Sequence, residues 1–427
     1  MGIVSGCRKV VLRINMLNQQ NRKMAKFNLS ILNVDVKNTF LDKGLTERNG
    51  YWNWRYLWFS AIIFVSFSCQ ENKTTQDSPA IGYSVDTVNI DSKDRILDLR
   101  GNLMHLTLDD ERKSFFLLNH FDLSIDEIDL DRHVFVKTYP LEPEGPNGVG
   151  DYIFSLQSMN NSLFFTKSNI GSSLFDKDGH IIERMVWEDP RDLNGLKLTQ
   201  FYRGKEVVSG TDDLNVFGLN FDSKNGKVYL DVRSIRDNTL KTFDIDPENA
   251  YHDFILGWDD NVFPPVVELS SDKNYIHISH EYSNEIILFN IEGEFVKVVQ
   301  YEPQRTPKRA KIPGGPEIKS RDQAGKDYQQ ILEQVRFESP VWDSVKKRYL
   351  RLSSKKTFTD TYVDGSFLPE IKEEMVFLTI FDAEFNLISE LEIEELNNER
   401  VKYFAKDGKL WICQNFSDEL GFLVFDL

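Results

Sequence analysis

The stretch Gln304-Arg-Thr-Pro-Lys-Arg-Ala-Lys-Ile-Pro gathers Arg305, Lys308, Arg309 and Lys311 in a chain that is otherwise acidic. Such a loop could meet a carboxylated glycan, another anionic ligand or a partner's acidic face; the plainer alternative is a solvated loop over an acidic surface. Glu144-Gly-Pro-Asn-Gly-Val-Gly-Asp-Tyr is glycine-rich, but it lacks the Gly-Lys-Ser/Thr ending of a phosphate loop and no helix follows. It reads instead as a link at a rim, with Glu144, Asn147 and Asp151 as polar groups within reach of a ligand. His277-Ile-Ser-His280 would place its imidazoles on opposite faces of a strand, and zinc needs further ligands. Asp126 to Asp131 and Asp176-Lys-Asp-Gly179 offer carboxylates that calcium could use, yet neither has the glutamate of an EF-hand at its twelfth position. Aspartates at turns more simply accept backbone hydrogen bonds. The chain has no Gly-x-Ser-x-Gly, His-Glu-x-x-His or paired-cysteine motif, so no metal or cofactor is expected and no catalytic set can be named.

The elements that must position these groups have to come from a chain of 427 residues, 41% apolar with 31 Phe, enough for a large core. Charge is unevenly spread. Ten of the 51 Lys and Arg, but only three of the 67 Asp and Glu, precede residue 56. From Cys69 onward 41 basic side chains face 64 acidic ones, a balance that repels nucleic acid and suits a soluble, monomeric body outside the cytoplasm. The three cysteines, Cys7, Cys69 and Cys413, build no disulfide framework. Cys413, in Leu410-Trp-Ile-Cys-Gln-Asn-Phe, reads as a small buried hydrophobe.

Tyr56 to Phe67 is an uncharged run of about a dozen residues, against the roughly twenty that span a bilayer. Arg55 before it and small residues after it fit a signal-peptide core, residues 56–67, within a leader of 1–68. Ser66-Phe67-Ser68-Cys69 resembles the lipobox of bacterial lipoproteins, although Phe67 stands where a small residue is usual. That resemblance implies lipid attachment at Cys69, a polar tether over 69–82, and an outer-membrane protein facing the periplasm or the cell surface. Residues 1–50 are long for a signal n-region, and translation starting downstream of Met1 would account for them.

A short apolar element ending in Asp or Asn recurs after residue 100. It occurs as Ile128-Asp129, Phe175-Asp176, Phe243-Asp244, Phe289-Asn290, Phe381-Asp382 and Phe425-Asp426, at spacings of 47, 68, 46, 92 and 44 residues. A hairpin precedes each one, turning at Asn160-Asn161, Asn225-Gly226 and Asp407-Gly408 among others, and a further strand follows most of them. Four strands in about 45 residues is the size of a β-propeller blade. The sixth unit lacks its outer strand, while Tyr83 to Ile90 is a lone alternating strand. Pairing the two closes the ring and removes an open edge. The expectation is therefore an all-β, six-bladed propeller over residues 83–427, rather than a β-sandwich. The long spacings locate inserts at 187–211, 302–330 and 353–374, with one helix over Asp322–Arg336. Long loops on a rigid scaffold are where function usually sits.

The lipobox, the tether and the six Phe-Asp units together resemble the uncharacterised six-bladed propeller lipoproteins of Gram-negative bacteria, a domain-of-unknown-function family. The resemblance covers roughly 83–427, implies architecture and brings no catalytic residues. Two functions fit: an envelope binding or scaffold module for a glycan, peptide or protein partner, which is favoured, and an envelope hydrolase or lyase using acids from several blades. Converging carboxylates in the central funnel would distinguish the second.

Overall fold

A computed structural model describes residues 82–427 except 101–102, 104, 186–205, 211–213, 223–226, 237–238, 249, 259–260, 312–319, 364 and 397–400. The leader, Cys69 and nearly all of the tether lie outside the described residues. No helix among the described residues is long and apolar enough to cross a membrane.

Six antiparallel sheets form a ring of blades. Blade 1 comprises Leu106–Leu108, Ser114–Asn119, Ser124–Asp129 and Val134–Pro140; blade 2 comprises Ile153–Met159, Leu163–Ser168, Gly171–Asp176 and Ile181–Met185. Blade 3 comprises Glu206–Ser209, Asn215–Asp222, Lys227–Ser234 and Thr239–Asp244; blade 4 comprises Val267–Ser271, Ile276–His280, Ile286–Phe289 and Phe295–Val299. In blade 5 the first strand is broken at Pro340 into Arg336–Phe337 and Val341–Asp343, as a residue without an N–H requires. Both pieces pair with Arg348–Phe358, which is followed by Ile371–Asp382 and Leu387–Glu392. Blade 6 takes Tyr403–Lys406, Lys409–Phe416 and Glu419–Asp426, and Ser84–Asn89 supplies its fourth strand in register from Ser84↔Asp426 to Asn89↔Gly421.

The adjacent phenylalanines explain how the blades stack. Successive side chains of a strand point to opposite faces. Phe115 therefore packs with Phe404 and Phe422 of blade 6, while Phe116 packs with Phe164 of blade 2. Phe165, next along, turns to Val208 and Val216 of blade 3. Three further apolar clusters join blades 3 and 4, 4 and 5, and 5 and 6, so all six seams are filled. Cys413 is buried in the seam of blades 6 and 1, where burial pushes its thiol up to about 12 and leaves it unreactive.

The recurrent Asp explains the turns. Asp129 Oδ1 accepts from the N–H groups of Asp131 and Arg132, Asp176 Oδ1 from those of Asp178 and His180, and Asp382 Oδ1 from those of Glu384 and Asn386. The residue before each is core: Ile128, Phe175 and Phe381 are almost wholly buried.

Three expectations are corrected. Glu206–Ser209, within the expected 187–211 insert, is the first strand of blade 3, and Phe243-Asp244 ends its fourth strand rather than its third. Four residues in polar surroundings carry too little alternation to stand out. Both ends of 353–374 belong not to an insert but to the long second and third strands of blade 5, paired from Arg348↔Asp382 to Phe358↔Ile371, which leaves a turn over 359–370. The helix spans Arg321–Leu332, capped by Ser320, and ends early because Arg336 and Phe337 join the sheet.

Candidate functional site

Loops alternate between the two ends of an antiparallel blade. Turns between first and second strands, and between third and fourth, share one face; each is two to five residues long. The other face, here the upper one, receives the remaining turns and the blade-to-blade links of 10 to 36 residues. Fifteen large apolar side chains are exposed among the described residues. Seven sit on fourth strands at the circumference and only Val345 on the lower face; the other seven, Ile96, Phe121, Tyr152, Ile170, Tyr362, Val363 and Ile371, are on the upper face. Arg100 stacks its guanidinium 4.1 Å from the Phe121 ring centre, and Asn119 Nδ2 donates to the Ile96 carbonyl at 2.8 Å.

The expected site residues fall on this face but do not converge. The cationic loop is laid along blade 4: Ala310 N–H donates to the Tyr282 carbonyl and Asn284 N–H to the Lys308 carbonyl. The N–H groups of Gln304 and Arg305 both donate to Glu390 Oε2. Lys308 pairs with Glu302, and Arg309 lies 3.5 Å from Asp253 and 5.2 Å from the Phe254 ring centre. The Arg305 and Lys311 side chains are exposed, Lys311 being held through its backbone to Gln334. The glycine-rich stretch is the link between blades 1 and 2. Gly145 and Gly150 have φ of +94° and +92°, and a Cβ on Gly148 would lie 2.6 Å from the Glu144 backbone. Asn147 Oδ1 accepts from the Ile181 N–H and Asp151 Oδ1 from Asn169 Nδ2, while Glu144 is exposed.

The two histidines diverge as a strand dictates. His277 packs against Tyr349 and Phe385 of blade 5, and His280 against Tyr251 and Phe254 of the link from blade 3. Burial holds the His280 pKa down to about 3, so it stays neutral. Asp176, Asp178 and His180 come close enough to share an ion, but Asp176 Oδ1 already accepts two backbone N–H groups in the turn described above.

A group of charges no sequence motif marks lies toward the axis. Lys402, just before blade 6, extends to Glu268 on the first strand of blade 4, with Nζ–Oε1 at 3.4 Å. Their side chains keep 34% and 26% of their surface open although both are enclosed by the ring. Glu338, at the break in the first strand of blade 5, stands with them. Desolvation, then the neighbouring Glu268 charge, push its carboxyl up to about 7. Arg336 beside it is bonded to Glu281 at 2.8 Å. The Glu268 charge keeps Lys402 protonated, and Lys402 adds to the burial and the His120 charge that hold His105 down to about 4. One residue from each of several blades makes this group, so no spacing along the chain could reveal it.

The fold and this inner charge group define a closed six-bladed propeller with buried charges toward its axis and one elaborated face. Residues 80–392 match the family described as a domain of unknown function (DUF4221), and the chain belongs to that family. The crystal structure of a family member from Bacteroides vulgatus is similar with a TM-score of 0.55 at 13% identity, covering 80% of this chain and 96% of that one, a likeness of fold. A Bacteroides fragilis protein provisionally described as exported is similar at 0.47 and 10% identity, over 80% of this chain and 94% of that one. The extracellular domain of a two-component system from B. thetaiotaomicron reaches 0.38 at 12% identity, over 75% and 33%. No curated protein matches.

Proposed function

We propose that the protein is a binding module of the cell envelope, held to a membrane by a lipid on Cys69, whose upper face docks a glycan, peptide or protein partner. The observation behind this reading is the apolar asymmetry: seven large apolar side chains are exposed on the upper face and one on the lower. Apolar side chains exposed on one face of a ring, Phe121 and Tyr152 on neighbouring blades among them, suit a recognition surface. The run before Cys69 and the polar residues after it support the anchor. The test is capture from solubilised envelopes by the full chain. Phe121→Ser with Tyr152→Ser should abolish recovery of the partner while leaving the fold intact; unchanged recovery would sink the reading. Labelled palmitate incorporation that survives Cys69→Ser would remove the anchor.

A second reading, an envelope glycan hydrolase or lyase, is favoured by one observation. A carboxyl raised to about 7 beside another carboxylate is suited to act as a general acid. Glu338→Gln would then abolish release of reducing ends from envelope polysaccharide, with partner capture retained.

A further inference from the structure

The lower end of the axis opens into a chamber of about 670 Å³. That is within the roughly 300–1,000 Å³ of small-molecule sites. The first strands and turns of blades 1 to 5 form its wall. Arg112 is its most distinctive group. It sits at φ +59°, a left-handed conformation that costs an arginine about 1 kcal/mol or more, in the turn after the first strand of blade 1. Its guanidinium has no hydrogen bond or ion pair among the described residues, yet burial lowers its pKa. The largest opposing influence is Asp272, on blade 4. Blade 4 stands opposite blade 1 in a ring of six, so the side chain reaches inward over the axis. An arginine held inward over a cavity, with no side-chain partner among the described residues, is an arrangement that packing alone does not require.

The rest of the wall decides what kind of ligand fits. Four acidic residues, Asp109, Asp110, Glu111 and Asp272, and two basic ones, Arg112 and Lys273, line the chamber; Asp272 Oδ2 also lies 3.3 Å from His277 Nε2. That excess of negative charge disfavours an anion. Serine hydroxyls and half-buried apolar side chains share the wall: Ser209, Ser270 and Ser271 with Leu106, Leu108 and Trp342. A molecule that donates and accepts hydrogen bonds around its edge, and carries C–H faces, matches such a wall. We propose that the chamber binds a neutral polyhydroxylated ligand of one or two sugar rings. The site is separate from the upper docking face.

The experiment is calorimetric titration of the full chain with glucose, N-acetylglucosamine, maltose and sucrose, with glucuronate and glucose 6-phosphate as charged controls. At least one neutral sugar should bind with Kd below about 10 mM, and more tightly than either charged control. Arg112→Gly suits the left-handed turn, so it should weaken binding at least tenfold without lowering the melting temperature. Asp272→Asn keeps the Oδ1 that accepts from the N–H groups of Asn274 and Tyr275, and should weaken binding to a similar extent while the fold is retained. Phe121→Ser should leave sugar binding unchanged. The proposal is overturned by absence of neutral-sugar binding at about 10 mM, by tighter binding of a charged control, or by binding that neither chamber variant weakens.

Discussion

The two faces of the ring are held by different means. The lower face repeats one device: an aspartate at the end of a strand accepts the N–H groups of its own short turn, at Asp109, Asp129, Asp176, Asp343 and Asp382. The upper face has links of unequal length, each fixed by its own contacts. Arg351 is fully buried, with Nε donating to the Glu338 carbonyl at 2.6 Å and Nη1 to the Asn284 carbonyl at 2.7 Å, so it ties the upper turn of blade 4 to the split strand of blade 5. A repeated device spreads stability over many small local contributions. A unique one concentrates it and leaves the neighbouring surface free to vary.

The comparison breaks if a single upper contact matters no more than a single turn. Arg351→Met should cost about 3–5 kcal/mol in denaturant unfolding, since it strands buried carbonyls. A loss below about 1 kcal/mol would show that the upper face is redundantly held as well. Next in size is the pH dependence contributed by Glu338. Its folded pKa of about 7 lies above its ordinary value of 4.5, so the folded state holds the extra proton between them. Its contribution is fully present below about pH 4.5 and is lost as pH rises through 7, by on the order of 2–3 kcal/mol. Glu338→Gln should flatten that part of the stability curve, measured from pH 4 to 8. On the lower face, Asp382→Ala removes acceptors for the N–H groups of Glu384 and Asn386 and should cost about 1 kcal/mol, read as a lowered melting temperature. The smallest effect is a gain. Lys347 is exposed at φ +53° in the lower turn of blade 5, so Lys347→Gly should stabilise by about 0.5 kcal/mol in chemical denaturation.

The same contrast explains what the sequence discloses. The lower face is legible because its information is local: Phe-Asp, Asn-Asn and Asp-Gly lie within a few residues of the turns they make, and their recurrence marks the blades. The closing strand at Ser84–Asn89 is legible because a missing fourth strand and a spare strand each show alternation. Glu206–Ser209 is not, since four residues offer barely two alternations and its neighbour Asn215–Asp222 looks like a first strand. The helix Ala250–Asp253 and the hairpin of Leu256–Trp258 with Asn261–Phe263, in the link to blade 4, are too short to show a period. The cationic loop draws the eye as a charge run, but its groups are dispersed or paired along blade 4. Glu268, Glu338 and Lys402 lie far apart in the chain, in or beside the first strands of blades 4, 5 and 6, and meet only because the ring brings those strands to its axis. Arg112 sits in a turn whose residue types are ordinary for a polar hairpin; only its direction, over the lower chamber, sets it apart.

The strand that closes the ring has a consequence for synthesis. Ser84–Asn89 leaves the ribosome long before Glu419–Asp426, the strand it must pair with. At about 5–20 residues per second, the wait is roughly 17–70 s. Blades 1 to 5 can stack in order during that time, but the two seams of blade 6 stay open until that blade emerges. The waiting strand, Ser-Val-Asp-Thr-Val-Asn, carries one charge and three polar residues in six, which lessens its tendency to pair with another nascent chain. A nonsense codon anywhere in the last blade would therefore spoil both ends of the ring at once.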